Sequence, residues 1–169
     1  MSMTEVDAFL QSLMTTAPAH LVTQVAWAWP ICETLHFIGL VLMTGVVGVI
    51  DLHVLGGLRG IGFNALHRLL PWGIVGFVLC LTTGAMFFAA APEQYFYNQA
   101  FHIKATALLF MGLNVTAFYL WAAPRLARGD GAAPAPAFAR FMALLSLLLM
   151  VVVIGAGRML TFFRPPFNW

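Results

Sequence analysis

The stretch Ile31–Asn64, ICETLHFIGLVLMTGVVGVIDLHVLGGLRGIGFN, decides the fold of this chain. It contains one long apolar run with a histidine near each end, His36 and His53. These residues are 17 positions apart; at the rise of an α-helix this spans about 25 Å, close to the thickness of a bilayer's hydrocarbon core. An ionisable side chain inside a membrane helix usually has a function. The stretch therefore predicts a membrane-spanning helix with a functional histidine near each membrane face.

The composition of the chain extends this prediction to the whole protein. Of its 169 residues, 62% are hydrophobic and only 8% are charged, whereas soluble domains average about 25% charged residues. A soluble domain of this composition would have too little polar surface to cover its core. The formal net charge of +2 is small and dispersed, so nothing indicates nucleic-acid binding. The sequence predicts an integral membrane protein.

Four apolar segments are long enough to cross a bilayer. We predict spans at residues 30–55, 67–91, 100–122 and 138–163, followed by a C-terminal tail at 164–169. Residues 1–29 form a predicted interfacial segment, with a short amphipathic helix at the membrane surface and with Trp27 and Trp29 in an aromatic belt. The expected fold is an all-α, integral membrane four-helix bundle with a short N-terminal amphipathic helix.

The basic residues favour one orientation in the membrane. We call face A the side on which the first span begins and face B the opposite side. Face B has five arginines, at positions 59, 68, 125, 128 and 140, and face A has Lys104, Arg158 and Arg164. By the positive-inside rule, face B is expected to be cytoplasmic. We therefore expect a bacterial inner-membrane protein with both termini in the periplasm.

Four histidines sort into two pairs by their depth in the membrane. His36 and His102 lie near face A on the first and third spans, and His53 and His67 lie near face B on the first and second. Two neutral imidazoles that converge from different helices are what bis-histidine ligation of haem iron requires. We predict two haem b groups, held by His36 with His102 and by His53 with His67. His20 has no partner at its depth and is expected at the surface.

Cationic side chains near each face could bind the haem propionates. The candidates are Lys104 and Arg158 near face A and Arg59 and Arg68 near face B. Each could instead be a snorkelling residue or an orientation signal. His67 and His102, which open their spans, could likewise point their rings at the interface.

Two further polar residues in the spans have more than one interpretation. Asp51 could orient the His53 imidazole or pair with Arg59 or Arg68. Asn114, in the middle of the third span, could form a hydrogen bond to another helix or lie between two cofactors.

The nine methionines allow a different function, because thioethers bind Cu(I). They are scattered over the spans without a tight repeat, so most are expected to fill the core. Transport or delivery of copper or another metal is therefore the alternative to a haem protein. Two more alternatives remain: a haem-dependent membrane oxidoreductase, and a non-redox assembly subunit in which the histidines only pack. No arrangement of catalytic residues is predicted.

Four motifs carry a resemblance to known membrane proteins. They are WPxxExxHxxG at 29–39, DLHxLG at 51–56, PWGxxGF at 71–77 and FHxK at 101–104. Together they resemble a family of small four-helix bacterial inner-membrane proteins, which implies the architecture but no activity. In architecture the chain is also similar to the di-haem cytochromes b of the b561 type and, more distantly, to HemJ-like and CopD-like proteins.

The resemblance to the b561 type implies a function and a set of ligands. Such a protein would carry electrons across the membrane between a quinone or quinol and a redox partner, and a homo-oligomer is compatible with it. Its haem ligands would be histidines at two depths, which map here onto His36, His102, His53 and His67. One departure from that pattern is that the fourth span of this chain has no histidine.

Overall fold

A computed structural model describes residues 3–58, 60–128 and 134–162. This part of the chain is helical and contains no strands. The α-helices are α1 (Met3–Met14), α2 (Ala17–Gln24), α3 (Ala28–Val54), α4 (Phe63–His67), α5 (Leu70–Ala90), α6 (Pro92–Phe96), α7 (Gln99–Ala117), α8 (Ala123–Arg128) and α9 (Ala137–Met159). A π-helical turn, Phe118–Ala122, joins α7 to α8. The all-α prediction is confirmed.

Four helical segments are long and apolar enough to cross a membrane. They are Ala28–Val54, Phe63–Ala90, Gln99–Arg128 and Ala137–Met159. Large apolar side chains cover their outer faces, as on Val41 and Leu148, which are 69% and 65% exposed, and lipid is the medium that suits such a surface. The chain is thus a multi-pass membrane protein, and the predicted four-helix bundle is confirmed.

Three ends of the helical segments differ from the predicted ends of the spans by four residues or more. The second span begins at Phe63 rather than 67, because the short helix α4 precedes α5. The third continues to Arg128 rather than 122, because the π-helical turn leads directly into α8. The fourth helix ends at Met159; the predicted end at 163 and the tail at 164–169 lie outside the described residues.

The bundle consists of two closely packed helix pairs. Helix α3 packs along α5 and α7 packs along α9, while α3 and α9 join the two pairs. Gly39 and Gly76 make the first pair close: a Cβ atom on Gly39 would lie 2.7 Å from the carbonyl oxygen of Gly76. Small residues of this kind let membrane helices approach backbone to backbone. Helices α5 and α7 pack less closely, so the bundle is most open between them.

The end of α3 is fixed by a Schellman motif, which uses glycine where the backbone turns left-handed. Gly56 has a φ of +91°, and its N–H donates to the carbonyl oxygen of His53 at 2.9 Å. The N–H of Gly57 donates to the carbonyl oxygen of Leu52 at 2.8 Å. The chain therefore reverses directly beside His53, within the connection that leads to α4.

The N-terminal helices are docked on face A. Helix α1 contacts α5 and α6, and α2 contacts α3 and α5. Leu10 of α1 is buried, and the Tyr97 hydroxyl donates to the Asp7 carboxylate at 2.6 Å. Other apolar side chains of this segment, such as Phe9 and Trp27, are exposed. Its position at a membrane surface stays a prediction.

Candidate functional site

His36 lies about two turns into α3, is half-buried and points at α5. Its Nδ1 is 2.7 Å from Oγ1 of Thr83. The Thr83 hydroxyl donates its single proton to the Leu79 carbonyl oxygen at 2.6 Å, so towards His36 it can act only as an acceptor. In the neutral ring Nδ1 therefore carries the proton and Nε2 carries the lone pair. This tautomer is ready to bind a metal through Nε2.

The space beside the His36 ring is partly open and lies near a cation. The Phe87 ring packs edge-on against the imidazole with centroids 5.9 Å apart. Gly84 faces the ring without a side chain: a Cβ atom added to it would lie 3.7 Å from Cε1 of His36. Lys104 on α7 lies close enough to His36 to interact with it electrostatically. The site is therefore built by α3, α5 and α7, on the open side of the bundle.

The Lys104 side chain is half-buried and lies in the same region of the bundle. Its Nζ is 3.8 Å from the point where a Cβ atom of Gly157 on α9 would lie. Among the described residues, no carboxylate acts on this ammonium group. An unpaired cation within a membrane bundle is costly and suits an anionic ligand group.

His53 has the same tautomer as His36, for a similar reason. Its Nδ1–H donates to the Leu58 carbonyl oxygen at 3.1 Å, and a carbonyl can only accept. Nε2 again carries the lone pair. The sequence allowed Asp51 to orient the His53 ring. In the structure the Leu58 carbonyl oxygen does this instead.

His53 and His67 contact the same phenylalanine. The Phe63 ring centroid lies 6.4 Å from that of His53 and 6.0 Å from that of His67. His67 is exposed, and its ring also contacts Tyr119 at 5.6 Å. The structure thus brings the predicted face-B pair into one aromatic cluster, in which Phe63 touches both rings.

His102 is placed differently from the other three histidines. It is exposed, and its Nε2–H donates to the Phe96 carbonyl oxygen at 2.7 Å. The lone pair of the neutral ring is therefore on Nδ1. Within the described part of the chain, no hydrogen bond or ring contact joins His102 to His36, and it is Lys104 that lies near His36. The pairing of His36 with His102 stays a prediction.

Two of the other predicted cations, Arg158 and Arg68, are exposed. Arg158 is exposed and its guanidinium carbon lies 5.4 Å from the Phe162 ring centroid. Arg68 is exposed at the turn between α4 and α5. Arg59 lies outside the described residues. Lys104 is thus a predicted propionate-binding cation that lies close to a predicted haem ligand, His36.

Two sulfur atoms meet between α3 and α5, and one of them belongs to Cys32, one helical turn before His36. Cys32 Sγ is 3.9 Å from Met86 Sδ, and both cysteines of the chain, Cys32 and Cys80, are free. Across residues 3–58, 60–128 and 134–162, no three His, Cys, Asp or Glu side chains converge as a metal site. A metal held here would need ligands from methionine or from a porphyrin, which itself supplies four nitrogens.

Polar residues inside the bundle include some that sequence reasoning missed. The Asn114 amide donates to the Met142 carbonyl oxygen at 3.0 Å, which confirms its predicted bond to another helix. Thr83 was not singled out, although a buried threonine in an apolar span is a usable signal. Ser146 and Tyr119, which lie near Asp51, were also missed.

Comparison with known proteins gives no match for this chain, whether with family models, with curated proteins or with solved structures.

Proposed function

We propose that this chain is a b-type cytochrome of the membrane in which Nε2 of His36 and Nε2 of His53 bind haem iron near the two faces. One observation carries the proposal: both rings have their Nδ1–H held by an oxygen, from Thr83 and from Leu58. Metal-binding histidines almost always donate their other N–H to such an acceptor, which fixes the tautomer and the ring orientation.

The residues around His36 fit a haem. A flat ring needs a region with few side chains, and Gly84 and Gly157 line this one. It needs a route between helices, and the bundle is most open between α5 and α7. A propionate needs a cation, and Lys104 has no carboxylate partner among the described residues. Near face B the fit requires Phe63 to move, because its ring contacts both His53 and His67.

The proposed activity is electron transfer across the membrane. Haem iron supplies the one-electron chemistry. Helix α3 holds His36 and His53 about 25 Å apart along its axis, since they are separated by 17 positions. Lys104 offsets negative charge, and the apolar outer faces of the spans keep water away. His102 and His67 are the proposed second ligands. To bind iron through Nε2, His102 would have to break its hydrogen bond to the Phe96 carbonyl oxygen.

The reactants follow from the two-faced arrangement. We propose a quinone or quinol at one face and a redox protein at the other, as in the b561-type cytochromes that the chain resembles. The proposed location is a bacterial inner membrane with face B cytoplasmic and both termini periplasmic. Self-association into a homo-oligomer is compatible with the exposed apolar faces.

The experiment is a reduced-minus-oxidised absorption spectrum of the protein purified from cells supplied with haem. The wild type is expected to show a b-type α-band and Soret band, and His36→Ala is expected to weaken both. His20→Ala is the matched control, because His20 is exposed on α2 and bonds to Gln24. An unchanged spectrum in His36→Ala would contradict the assignment of this ligand.

A second candidate function, copper delivery, rests on the contact between Cys32 and Met86. A thiolate, a thioether and an imidazole are ligands that suit Cu(I). His36 follows Cys32 by one turn of α3, and Cys32 contacts Met86. This function predicts copper without porphyrin by elemental analysis. Cys32→Ser and Met86→Leu would each lower the copper content, whereas Cys80→Ser would not.

A further inference from the structure

A cavity of about 320 Å³ lies at the face-B end of the bundle. Its walls come from the π-helical turn and α8 on one side and from the start of α9 on the other: Ala122, Arg125, Pro136, Phe138 and Ala139. Ala122 and Ala139 are buried, whereas Phe138 is 50% exposed, so the cavity is closed towards the core and open at the outer side of the bundle. Small-molecule sites have volumes of roughly 300–1,000 Å³. The cavity is therefore large enough for a lipid headgroup.

The walls of the cavity are apolar except for Arg125, which is exposed. One N–H of its guanidinium donates to the carbonyl oxygen of Trp121. Because a guanidinium has five N–H donors, it can bind an anion at the same time. Its planar fork matches the oxygens of a phosphate group in particular. The cavity thus suits a ligand with an anionic phosphate head and an apolar body.

Two further arginines add positive charge beside the cavity. Arg128 follows Arg125 by three positions on α8, and residues at this spacing are neighbours on a helix surface. Arg140 directly follows Ala139 on α9, the residue that lines the cavity. The side chains of both arginines are exposed. Three guanidinium groups from two helices therefore lie at this corner of the bundle.

The acidic residues of face B are too few to balance these arginines. Of the six acidic residues of the chain, two lie towards face B, Asp51 and Asp130. Asp51 is only 6% exposed, within α3. Asp130 lies outside the described residues, and a single carboxylate can neutralise one arginine. At least two positive charges of the three thus stay available to an anionic ligand.

The cavity lies at the depth where lipid headgroups meet the acyl chains. The third span ends at Arg128 and the fourth begins at Ala137. One turn further into these spans, Trp121 and Phe141 are 54% and 62% exposed. Exposed aromatic side chains near the end of a span are typical of the membrane interface. A ligand whose anionic group binds Arg125 thus meets apolar, lipid-facing surface one turn deeper.

We propose that this cavity binds an anionic phospholipid, whose phosphate group contacts the Arg125 guanidinium. Basic sites between membrane helices are known to bind lipid headgroups. A zwitterionic phospholipid would bring a second positive group close to three arginines. Inorganic phosphate would leave the apolar walls without a partner. A lipid such as phosphatidylglycerol satisfies both the charge and the apolar surface. The site does not depend on haem or on the proposed function.

The experiment uses the thermal stability of the full-length protein in a non-ionic detergent, because a ligand that binds only the folded protein raises the midpoint Tm saturably. The protein is titrated with dioleoyl phosphatidylglycerol, with dioleoyl phosphatidylcholine or with inorganic phosphate. The two lipids have the same acyl chains, so a difference between them reports on the headgroup. The Tm is expected to rise saturably with phosphatidylglycerol, to rise less with phosphatidylcholine and not to respond to phosphate.

Variants assign the effect to this cavity. Arg125→Gln is expected to raise the half-saturating concentration of phosphatidylglycerol about tenfold, the effect of losing one hydrogen-bonded charge contact. Arg68→Gln is the matched control, because it removes the same charge from an exposed arginine of face B between α4 and α5. If Arg125→Gln does not fold, Arg140→Gln still tests the site, with an expected increase of about fivefold.

Three outcomes would overturn the proposal. The first is an equal rise in Tm with phosphatidylglycerol and with phosphatidylcholine. The second is a response to phosphatidylglycerol that Arg125→Gln leaves unchanged, or that Arg68→Gln weakens as much, since either would assign the effect to the general charge of face B. The third is a saturable rise with inorganic phosphate alone, which would assign the cavity to a soluble anion.

Discussion

The Nδ1 atom of His36 lies 2.7 Å from the hydroxyl oxygen of Thr83, on the neighbouring helix α5. Because Thr83 gives its proton to Leu79, this contact fixes which ring nitrogen of His36 can bind a metal. It also ties the ring to the α3–α5 interface, which is the most closely packed interface of the bundle. The proposed ligand is thus held by a rigid part of the fold.

The Thr83 contact gives the first prediction. Thr83→Val removes the acceptor but keeps the shape, and it is expected to lower haem affinity about 10- to 100-fold, as for other partners of metal-binding histidines. Thr83→Ser keeps the oxygen and is expected to bind like the wild type. Haem titration of the apoprotein measures both. Equal affinity for Thr83→Val and the wild type would show that the tautomer does not matter.

The charge of Lys104 gives the second prediction. Lys104→Met removes a cation near His36, so oxidised iron becomes relatively more stable and the midpoint potential is expected to fall by tens of mV, on the order of 1 kcal/mol for one electron. Arg158→Met is the control, because Arg158 is exposed and stacked on Phe162. A redox titration that finds equal shifts for both variants would contradict the specific role of Lys104.

The close helix crossing gives the third prediction. Gly39→Ala would place a Cβ atom 2.7 Å from the backbone oxygen of Gly76, and it is expected to destabilise the protein by about 1–3 kcal/mol through overpacking. Gly45→Ala on the same helix has nothing within 4 Å of its added Cβ atom. It is expected to be neutral or slightly stabilising. Unfolding in detergent compares the two, and equal stabilities would argue against the crossing.

The contact between α1 and face A gives a prediction of pH dependence. The pKa of Tyr97 is raised above 10.0, first by its hydrogen bond to Asp7, then by desolvation and the charges of Asp7 and Glu93. Because the folded pKa is the higher one, the contact is complete below pH 10 and is lost as the pH rises through the folded pKa. We expect α1 to loosen there.

Spectroscopic titration of Tyr97 checks this prediction. Asp7→Asn is expected to bring the pKa of Tyr97 most of the way back towards its usual value. Glu93→Gln, which removes only a charge interaction, is expected to change it less. Equal effects of the two variants would mean that the hydrogen bond is not the main cause.

Most of the fold could be predicted from the sequence, because length and apolarity alone identify a membrane span. The number of spans was therefore right. The helical segments extend beyond the predicted spans at Phe63 and at Arg128, because a short helix at one place and a π-helical turn at the other continue them. Neither the short helix nor the π-helical turn can be predicted from how apolar the sequence is.

Less of the candidate site could be predicted, because depth in the membrane does not give direction around a helix axis. His102 and Lys104 have nearly the same depth but are about 200° apart around α7. Lys104 interacts electrostatically with His36, while His102 is exposed and donates to the Phe96 carbonyl oxygen. The partner of His36, Thr83, depends on how α3 and α5 pack, which one sequence does not show.

The most direct test of the proposed function is the haem-to-protein ratio of the purified protein, measured as the pyridine haemochrome. Two haem b groups are expected per wild-type chain, one in His36→Ala, one in His53→Ala and two in His20→Ala. Wild-type protein purified from haem-supplied cells without a haemochrome spectrum would contradict the proposal. So would a ratio that His36→Ala and His53→Ala leave unchanged.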